Sequence, residues 1–497
     1  MINIGSRREC FFDNYLIDES RTTVKKRLHK PTRRGVLLEL DQPWEGTCVT
    51  FFNPIYAEGK WRMYYVNQHP VRYIAYAESE DGLHWVRPDL GIVSFNGSTH
   101  NNILMDVEML KAFDFTNFDN MSVFYDENPA CPPDEKYKMT AAWLGHAALI
   151  CLMSADGIHF TKSRFITDDG AFDSQNRSFW SKEHGKYFCY FRGEHDPKED
   201  TSIMDKSYTD RIANALYDPE RFLLREPGAG TYTFMRDVRV CESEDFMNWS
   251  PQQLIRTTGA DCQLYNNVVF PYPRAPHILV GFPLRYVERK AWTKNYDELC
   301  GKEDRLERMQ SMARLGLAIS DGLFMTSRNG YDFTKYDEAL LPPPPENPEA
   351  FVYGDGTACP ILVEVPSEIP GADPEYMLYV RESFRSVQGP NKLVKYTIRL
   401  DGFVSLHAGG EVAEVVTKPF LYEGDQLYVN LATSARGYAY FTLQCGDEEC
   451  TSCEIFGNSV KKRIRFEDEE AVKRFSGKDV TLCIKMYDCD IYSLKFE

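Results

Sequence analysis

The sequence predicts an all-β protein, a five-bladed β-propeller over residues 1–408 followed by a C-terminal β-sandwich over residues 409–497. Three observations lead there. A tight polar turn recurs as "SEDGLHW" (Ser79–Trp85), "SADGIHF" (Ser154–Phe160), "SEDFMNW" (Ser243–Trp249) and "SRNGYDF" (Ser327–Phe333), at steps of roughly 75 to 90 residues, the mark of a repeated supersecondary unit. Three strand-like runs precede each turn and a short fourth run follows it. After "DGFVSLHAGG" the turn stops recurring while strand-like runs continue, so a second unit is expected.

The first unit reads "CVTFFNPIYA", "KWRMYYVNQ", "RYIAYAES" and "HWVRPD", and the second "MSVFYD", "YKMTAAWL", "ALICLMS" and "IHFTKS". The third is "RSFWSK", "KYFCYFRG", "VRVCESE" and "NWSPQQ"; the fourth is "YNNVVFPYP", "HILVGFPLRY", "GLFMTSR" and "YDFTKY". A fifth lacks the serine turn: "ACPILVEV", "YMLYVRES", "KLVKYTIRL" and "DGFVSL". Four antiparallel strands repeated five times make a propeller. The turns themselves are structural, since Gly supplies positive φ and Ser and Asp cap the reversal. "LLPPPPENP" (Leu340–Pro348) is a stiff connector between units four and five.

Composition agrees and excludes several functions. Aromatics make up 13% of the chain, with 29 Tyr and 31 Phe, which suits strands and sugar-facing surfaces. A formal charge of −17 argues against nucleic acid or an anionic membrane as partner. The N-terminal "MINIGSRRECFFDNYLID" shows no apolar h-region, and no apolar run is long enough to span a bilayer, so a cytoplasmic location is expected. The 14 cysteines mostly sit singly in apolar runs and read as reduced thiols. "CGDEECTSC" lacks the paired C-x-x-C steps of a zinc ribbon, so no metal is expected. Oligomeric state is not readable.

Loop lengths then choose a face. The connections between strands one and two, and three and four, are mostly short. Long connections between strands two and three, "EHDPKEDTSIMDKSYTDRIANALYDPERFLLREPGAGTYTFM" and "VERKAWTKNYDELCGKEDRLERMQSMARLGLAIS", gather on the opposite face. There the residues preceding each innermost strand converge on one pocket. They are Glu45, Asp114, Asp119, Asp173 with Gln175 and Asn176, Asp261 with Tyr265 and Asn266, and Asp355. The ends of the second strands add Arg192, Glu194, Arg285, Arg381 and Glu382. Clustered carboxylates raise one another's pKa, as acid/base work at a glycosidic bond requires. Trp44, Trp180, Tyr265 and Tyr286 are the nearby rings able to stack on sugars. Taken singly, each charged residue also fits an inter-blade ion pair.

"YAESEDGLHW", "NNIL" (Asn101–Leu104), "RLDGFVSL" (Arg399–Leu406) and the terminal "IYSLKF", on this architecture, resemble the propeller glycoside hydrolases of the invertase/fructanase type (family 32) and the arabinanase/xylosidase type (family 43), and most closely uncharacterised invertase-like bacterial proteins. The resemblance implies three axial carboxylates. "NDPNG" is absent, leaving Glu45 or Asp13 in that place; "FDN" at Asp119 partly matches "RDP"; Asp173 stands in place of the "EC" glutamate. The expectation is a glycoside hydrolase for a small oligosaccharide or glycoside, with no cofactor. Asp119 serves as stabilising carboxylate or base, Asp173 as nucleophile or base, and Glu194 as general acid. Glu45, Gln175, Asn176, Arg192, Asp261, Tyr265, Asn266, Arg285, Asp355, Arg381 and Glu382 are the expected substrate contacts. Two alternatives stay open: a sialidase-like or phosphorylase-like enzyme in which Arg192, Arg285 and Arg381 clamp an anionic sugar or phosphate, and a non-catalytic glycan-binding propeller.

Overall fold

The computed structural model describes residues 2–68, 71–113, 118–143, 148–195, 235–287, 289, 292–311, 314–386 and 389–497. The protein is all-β with propeller-like sheets. Sheet one runs in order Val49–Ala57, Lys60–Asn67, Tyr73–Ser79 and Ile103–Asp106. Sheet two is Phe118–Tyr125, Tyr137–Trp143, Ala148–Ser154 and Phe160–Thr167; sheet three is Arg177–Ser181, Lys186–His195, Met235–Ser243 and Gln253–Leu254. Sheet four has seven strands: its first two are each split in the middle, Leu264–Asn266 from Val269–Tyr272 and Ala275–Gly281 from Leu284–Val287, they are followed by Ile319–Ser327 and Asp332–Leu341, and Arg256–Thr257 adds a short parallel pairing at the edge.

Two expectations are corrected here. "HWVRPD" makes only one isolated bridge, Glu78 to Val86, and the outer strand of sheet one is Ile103–Asp106. In sheet five, the strands Glu375–Glu382 and Asn391–Arg399 are followed at the edge by Thr32–Leu40, not by "DGFVSL". Val404–Ala408 instead joins an eight-stranded sheet built around two long strands, Leu427–Cys445 and Thr481–Phe496. The N-terminal strands Glu9–Cys10 and Lys25–Leu28 pair into that same sheet, and Ile2–Gly5 pairs with Phe420–Tyr422. Hydrogen bonding thus carries residues 2–28 to the C-terminal strands. Their apolar side chains follow, since Ile4, Phe11, Leu16 and Ile17 pack with Phe420, Leu431, Phe441 and Ile484.

Each sheet packs its face on the next. Tyr64 and Val66 meet Met139 and Ile150 between sheets one and two. Leu149 and Met153 meet Tyr187 and Phe191 between two and three, and Phe188 and Val240 meet Leu279 and Met325 between three and four. Phe270 and Val280 meet Leu378 and Val394, and Met377 and Tyr379 meet Met63 and Tyr65. Each such fully buried side chain contributes about 1.5–3 kcal/mol.

The repeated turn completes these contacts. In all four copies the serine hydroxyl bonds the side chain of Asp81, Asp156, Asp245 or Asn329, whose oxygen accepts the next two free N–H groups at 2.8–2.9 Å. The N–H groups of Asn248 and Met247, with the Asn248 side chain, hold the Asp245 carboxyl below the usual range. The glycine carbonyl then accepts a tyrosine hydroxyl from the neighbouring sheet: Tyr64 to Gly157 (2.9 Å), Tyr190 to Gly330 (2.8 Å) and Tyr379 to Gly82 (2.5 Å). A Cβ on Gly157 would stand 2.6 Å from Tyr64 Oη at φ +79°. Gly157→Ala is therefore expected to cost about 2 kcal/mol or more, read as a lower denaturation midpoint. A variant as stable as the parent would show the turn to be dispensable.

The long connection following Glu194 falls, over 196–234, outside the described residues. The other long connection folds as three short helices, Lys294–Glu298, Lys302–Ser311 and Arg314–Leu317, the last of which packs Leu315 against the cluster of Tyr265, Tyr286 and Tyr353. No described helix is long and apolar enough to cross a membrane.

Candidate functional site

The innermost strands do not run straight into the centre. In sheet one the register slips between Thr50 and Asn53, and in sheet two the same slip falls between Asp119 and Ser122. At both bulges a non-glycine residue takes positive φ, Phe51 at 54° and Asn120 at 53°. Phe172 (48°) precedes the first strand of sheet three, and Val268 (47°) splits that of sheet four. A bulge adds one residue to a strand and re-aims the side chain beside it. Strained backbone within or just ahead of the first strands of four sheets marks a place where shape is held against local preference.

An amide girdle supports these bends. Asn176 Nδ2 donates to the carbonyls of Asn120 and Phe172, both at 3.1 Å. Gln175 Nε2 donates to Asn53 Oδ1 (3.1 Å), and Asn267 Nδ2 to the Gln175 carbonyl (3.1 Å). Buried amides joined strand to strand rigidify the region above them.

Above the girdle lies a cavity of about 590 Å³ with walls from sheets one, two, four and five and from the segment that leads into sheet three. It has sugar-sized volume and mixed chemistry, the usual properties of a small-ligand site. Asp119 and Asp173 are its carboxylates among the described residues, and Tyr265, Tyr353 and Phe384 its principal rings. Asp119 is buried. Its Oδ1 accepts Gln68 Nε2 (2.9 Å) and the Asn120 N–H (2.8 Å), and Arg72 Nη2 lies 3.1 Å from Oδ2. Burial nevertheless wins and pushes its pKa up, against Arg72 and with a small push from Asp173. Asp173 is 64% exposed and accepts Arg192 Nη2 at 2.7 Å. Arg192 is buried and passes over the Tyr265 ring at 5.5 Å, so it positions Asp173 and does not face the cavity.

Of the other sequence candidates, Gln175, Tyr265, Asn266 and Arg381 line the cavity. The rest lie outside its lining. Glu194 lies two residues beyond Arg192, exposed, and is not among the described residues that line the cavity. Glu45 is fully buried and clasped by Arg87 (2.9 and 3.0 Å) and Tyr65 (2.6 Å). Asn176 belongs to the girdle. Asp261 faces a separate cavity of about 270 Å³, 3.2 Å from His195 Nε2. Arg285 forks onto Asp321 at 2.8 and 2.5 Å, and Glu382 is gripped by Arg33 and Tyr396 on the far side of its strand. Asp355 is buried next to the cavity, accepting the N–H groups of Ser383 (3.0 Å) and Phe384 (2.9 Å). Arg192, Arg285 and Arg381 therefore form no clamp, because strand alternation sends them to three different partners. Of the expected stacking rings only Tyr265 lines the cavity: Trp44 bonds Asn102 (2.7 Å), Trp180 packs on Tyr187 and Tyr286 lies under Arg236. Asp13 is tied to Arg328, and Asp114 lies outside the described residues.

Functional residues not foreseen include the rings Tyr353 and Phe384 and the polar side chains Gln68, Arg72, Arg308 and Arg385. Gln68 follows the end of a second strand, the position that singled out Arg192 and Arg381, so the same reading applied to sheet one would have found it. The 14 cysteines are unbridged, and no group of three or more metal-binding side chains occurs among the described residues.

No protein-family model and no curated protein matches the chain. Several solved structures are similar to it. One is an N-acetylgalactosamine deacetylase from F. plautii in complex with blood group B trisaccharide, 11% identical over 74% of this chain and 94% of that one, TM-score 0.44. A structure from the GH130 family of mannoside phosphorylases, described as containing glycoside hydrolases that target β-1,2 mannosidic linkages in Candida mannan, is 14% identical over 75% and 94%, TM-score 0.42. A family 32 glycoside hydrolase from Bifidobacterium adolescentis is 9% identical over 95% and 82%, TM-score 0.37.

Proposed function

We propose that the five sheets form a closed five-bladed propeller, with Thr32–Leu40 as the edge strand that joins the chain's two ends into one blade. The eight-stranded unit is a β-sandwich beginning near residue 409, to which the first 28 residues contribute strands. The axial cavity hydrolyses a glycosidic bond of a small oligosaccharide or glycoside, without a cofactor. The observation that carries this reading is the meeting of Asp119, from sheet two, and Asp173, from the segment leading into sheet three, in one ring-walled cavity of sugar size.

Glycoside cleavage needs a proton for the leaving oxygen and a carboxylate to attack or to activate water. Asp119, whose burial holds its proton to higher pH, is the donor. Asp173, open to the cavity and oriented by Arg192, is the nucleophile or base. Tyr265 and Tyr353, whose hydroxyls are hydrogen-bonded to each other, offer a wall against which a sugar face packs. Gln175 and Asn266 present amides to its hydroxyls. A panel of aryl glycosides and short oligosaccharides is expected to contain one that is cleaved at a measurable rate. Binding of sugars with no release across the panel would instead favour a glycan-binding protein.

A further inference from the structure

On the wall made by sheet five and the helical insertion, the cavity is far from neutral. Arg308 of the helix Lys302–Ser311, Arg381 at the end of Glu375–Glu382, and Arg385 beyond it all line that wall. With Arg72 they set four guanidinium groups against two aspartates in the lining itself, the charges of Asp304, Glu349 and Asp355 lying behind Arg308, in a protein whose formal charge is −17. Asp119 is already matched by Arg72, and Asp173 by Arg192. No described carboxylate lies within ion-pairing distance of Arg381 or Arg385.

The two are nonetheless built in place. Arg381 is 6% exposed, lies 3.9 Å over the Phe384 ring, and donates to Thr50 Oγ1, the Gly354 carbonyl and Thr357 Oγ1. Its Nε is buried with no hydrogen-bond partner, and so is Nε of Arg385. Arg385 lies over Phe384 (5.0 Å) and Tyr353 (5.2 Å). Its backbone is held at φ 61°, next but one to Ser383 at 59°, and its N–H is tied to the Thr47 carbonyl at 2.9 Å. Left-handed backbone at two non-glycine residues and two like charges sharing one ring are both unfavourable alone. An oxyanion seated between the two guanidinium groups offsets their repulsion, and planar guanidinium matches carboxylate and phosphate geometry.

We propose that this wall is an oxyanion subsite, formed by Arg308, Arg381 and Arg385, which takes the carboxylate of an acidic sugar or a free phosphate beside the sugar. The proposal rests on the reading of the cavity as a sugar site, and it makes an acidic glycoside the preferred substrate class.

Binding and cleavage are measured separately on the full chain. Galacturonate, glucuronate, galactose, glucose and inorganic phosphate are titrated at fixed ionic strength by thermal shift and calorimetry. At least one uronate, or phosphate, is expected to bind about tenfold or more tighter than the neutral sugars. Arg385→Gln and Arg308→Gln are each expected to remove that advantage while the ligand-free melting temperature stays near the parent's. Phosphate that competes with the uronate identifies one subsite for both. A uronate that binds where phosphate does not identifies the sugar carboxylate as the source. Equal binding of acidic and neutral sugars with no effect of phosphate, no binding of any of them, or an acidic preference that survives both substitutions would each overturn the subsite. Cleavage of neutral aryl glycosides, assayed alongside, tests the hydrolase reading alone: its absence with oxyanion binding intact removes hydrolysis and leaves the subsite standing.

Discussion

Asp173→Asn is expected to lower kcat by a thousandfold or more on any glycoside the protein cleaves, and to move the melting temperature hardly at all. An amide of the same shape can neither attack the anomeric carbon nor take a proton from water, and losing such a group typically costs several powers of ten. Stability is spared for a separate reason. Asp173 is 64% exposed, and its recorded partner is Arg192 at 2.7 Å, for which the asparagine oxygen remains an acceptor. An ion pair this open to water contributes about 1 kcal/mol at most. Asp119→Asn makes the contrast. That carboxylate is buried and holds Arg72, Gln68 and the Asn120 N–H, so both turnover and stability should fall. Rates and denaturation midpoints for the two variants side by side decide the matter. An Asp173→Asn enzyme with parental turnover would remove this residue from the chemistry, and one that unfolds readily would recast it as a structural brace.

Local features of the fold were the ones legible in the sequence. The Ser-x-Asp turns were readable because their hydrogen bonds join residues two or three apart, and the strands because runs rich in β-branched and aromatic residues lie between turn signals. Thr32–Leu40 was not assigned to sheet five because its partners, Asn391–Thr397, lie some 360 positions away and nothing in "TRRGVLLEL" names them. The same blindness gave "DGFVSL" to the wrong sheet and left the strand partners of residues 2–28 unassigned. At the site, looking just ahead of each innermost strand found Asp119, Asp173, Gln175, Tyr265 and Asn266, since those positions converge wherever strands radiate from an axis. It could not say which side chains would turn inward. That is decided by the bulges at Phe51 and Asn120 and by partners such as Asp321 for Arg285. Arg385 escaped notice because a left-handed turn past a strand end, not strand periodicity, aims it at the cavity.

The stability of the protein should decline as pH rises from about 4 to about 7, and Asp355 is the residue expected to cause it. Burial pushes its pKa up to about 7 from 3.8, outweighing the Phe384 and Ser383 N–H groups and nearby Arg381. In the unfolded chain the carboxyl loses its proton near pH 4, whereas the folded protein keeps it until about 7. Below pH 4 both states are protonated and the full stability is present. Between the two values only the unfolded state gains from ionising, so folding weakens, and above pH 7 the loss is complete. The whole window is worth on the order of 4 kcal/mol. Carboxylates whose pKa is depressed, such as Asp245, act in the opposite sense and at lower pH, so the useful quantity is the difference between parent and variant. Asp355→Asn should start less stable by about 1–3 kcal/mol at pH 4, because its amide must turn a donor toward one of the two backbone N–H groups. From there the curves should converge and cross, since the variant has no proton to lose. Denaturant midpoints at half-unit steps from pH 4 to 8 would reveal the crossing. Parallel curves would mean that Asp355 is ionised in its buried place throughout, and that Arg381 is already neutralised from within the protein.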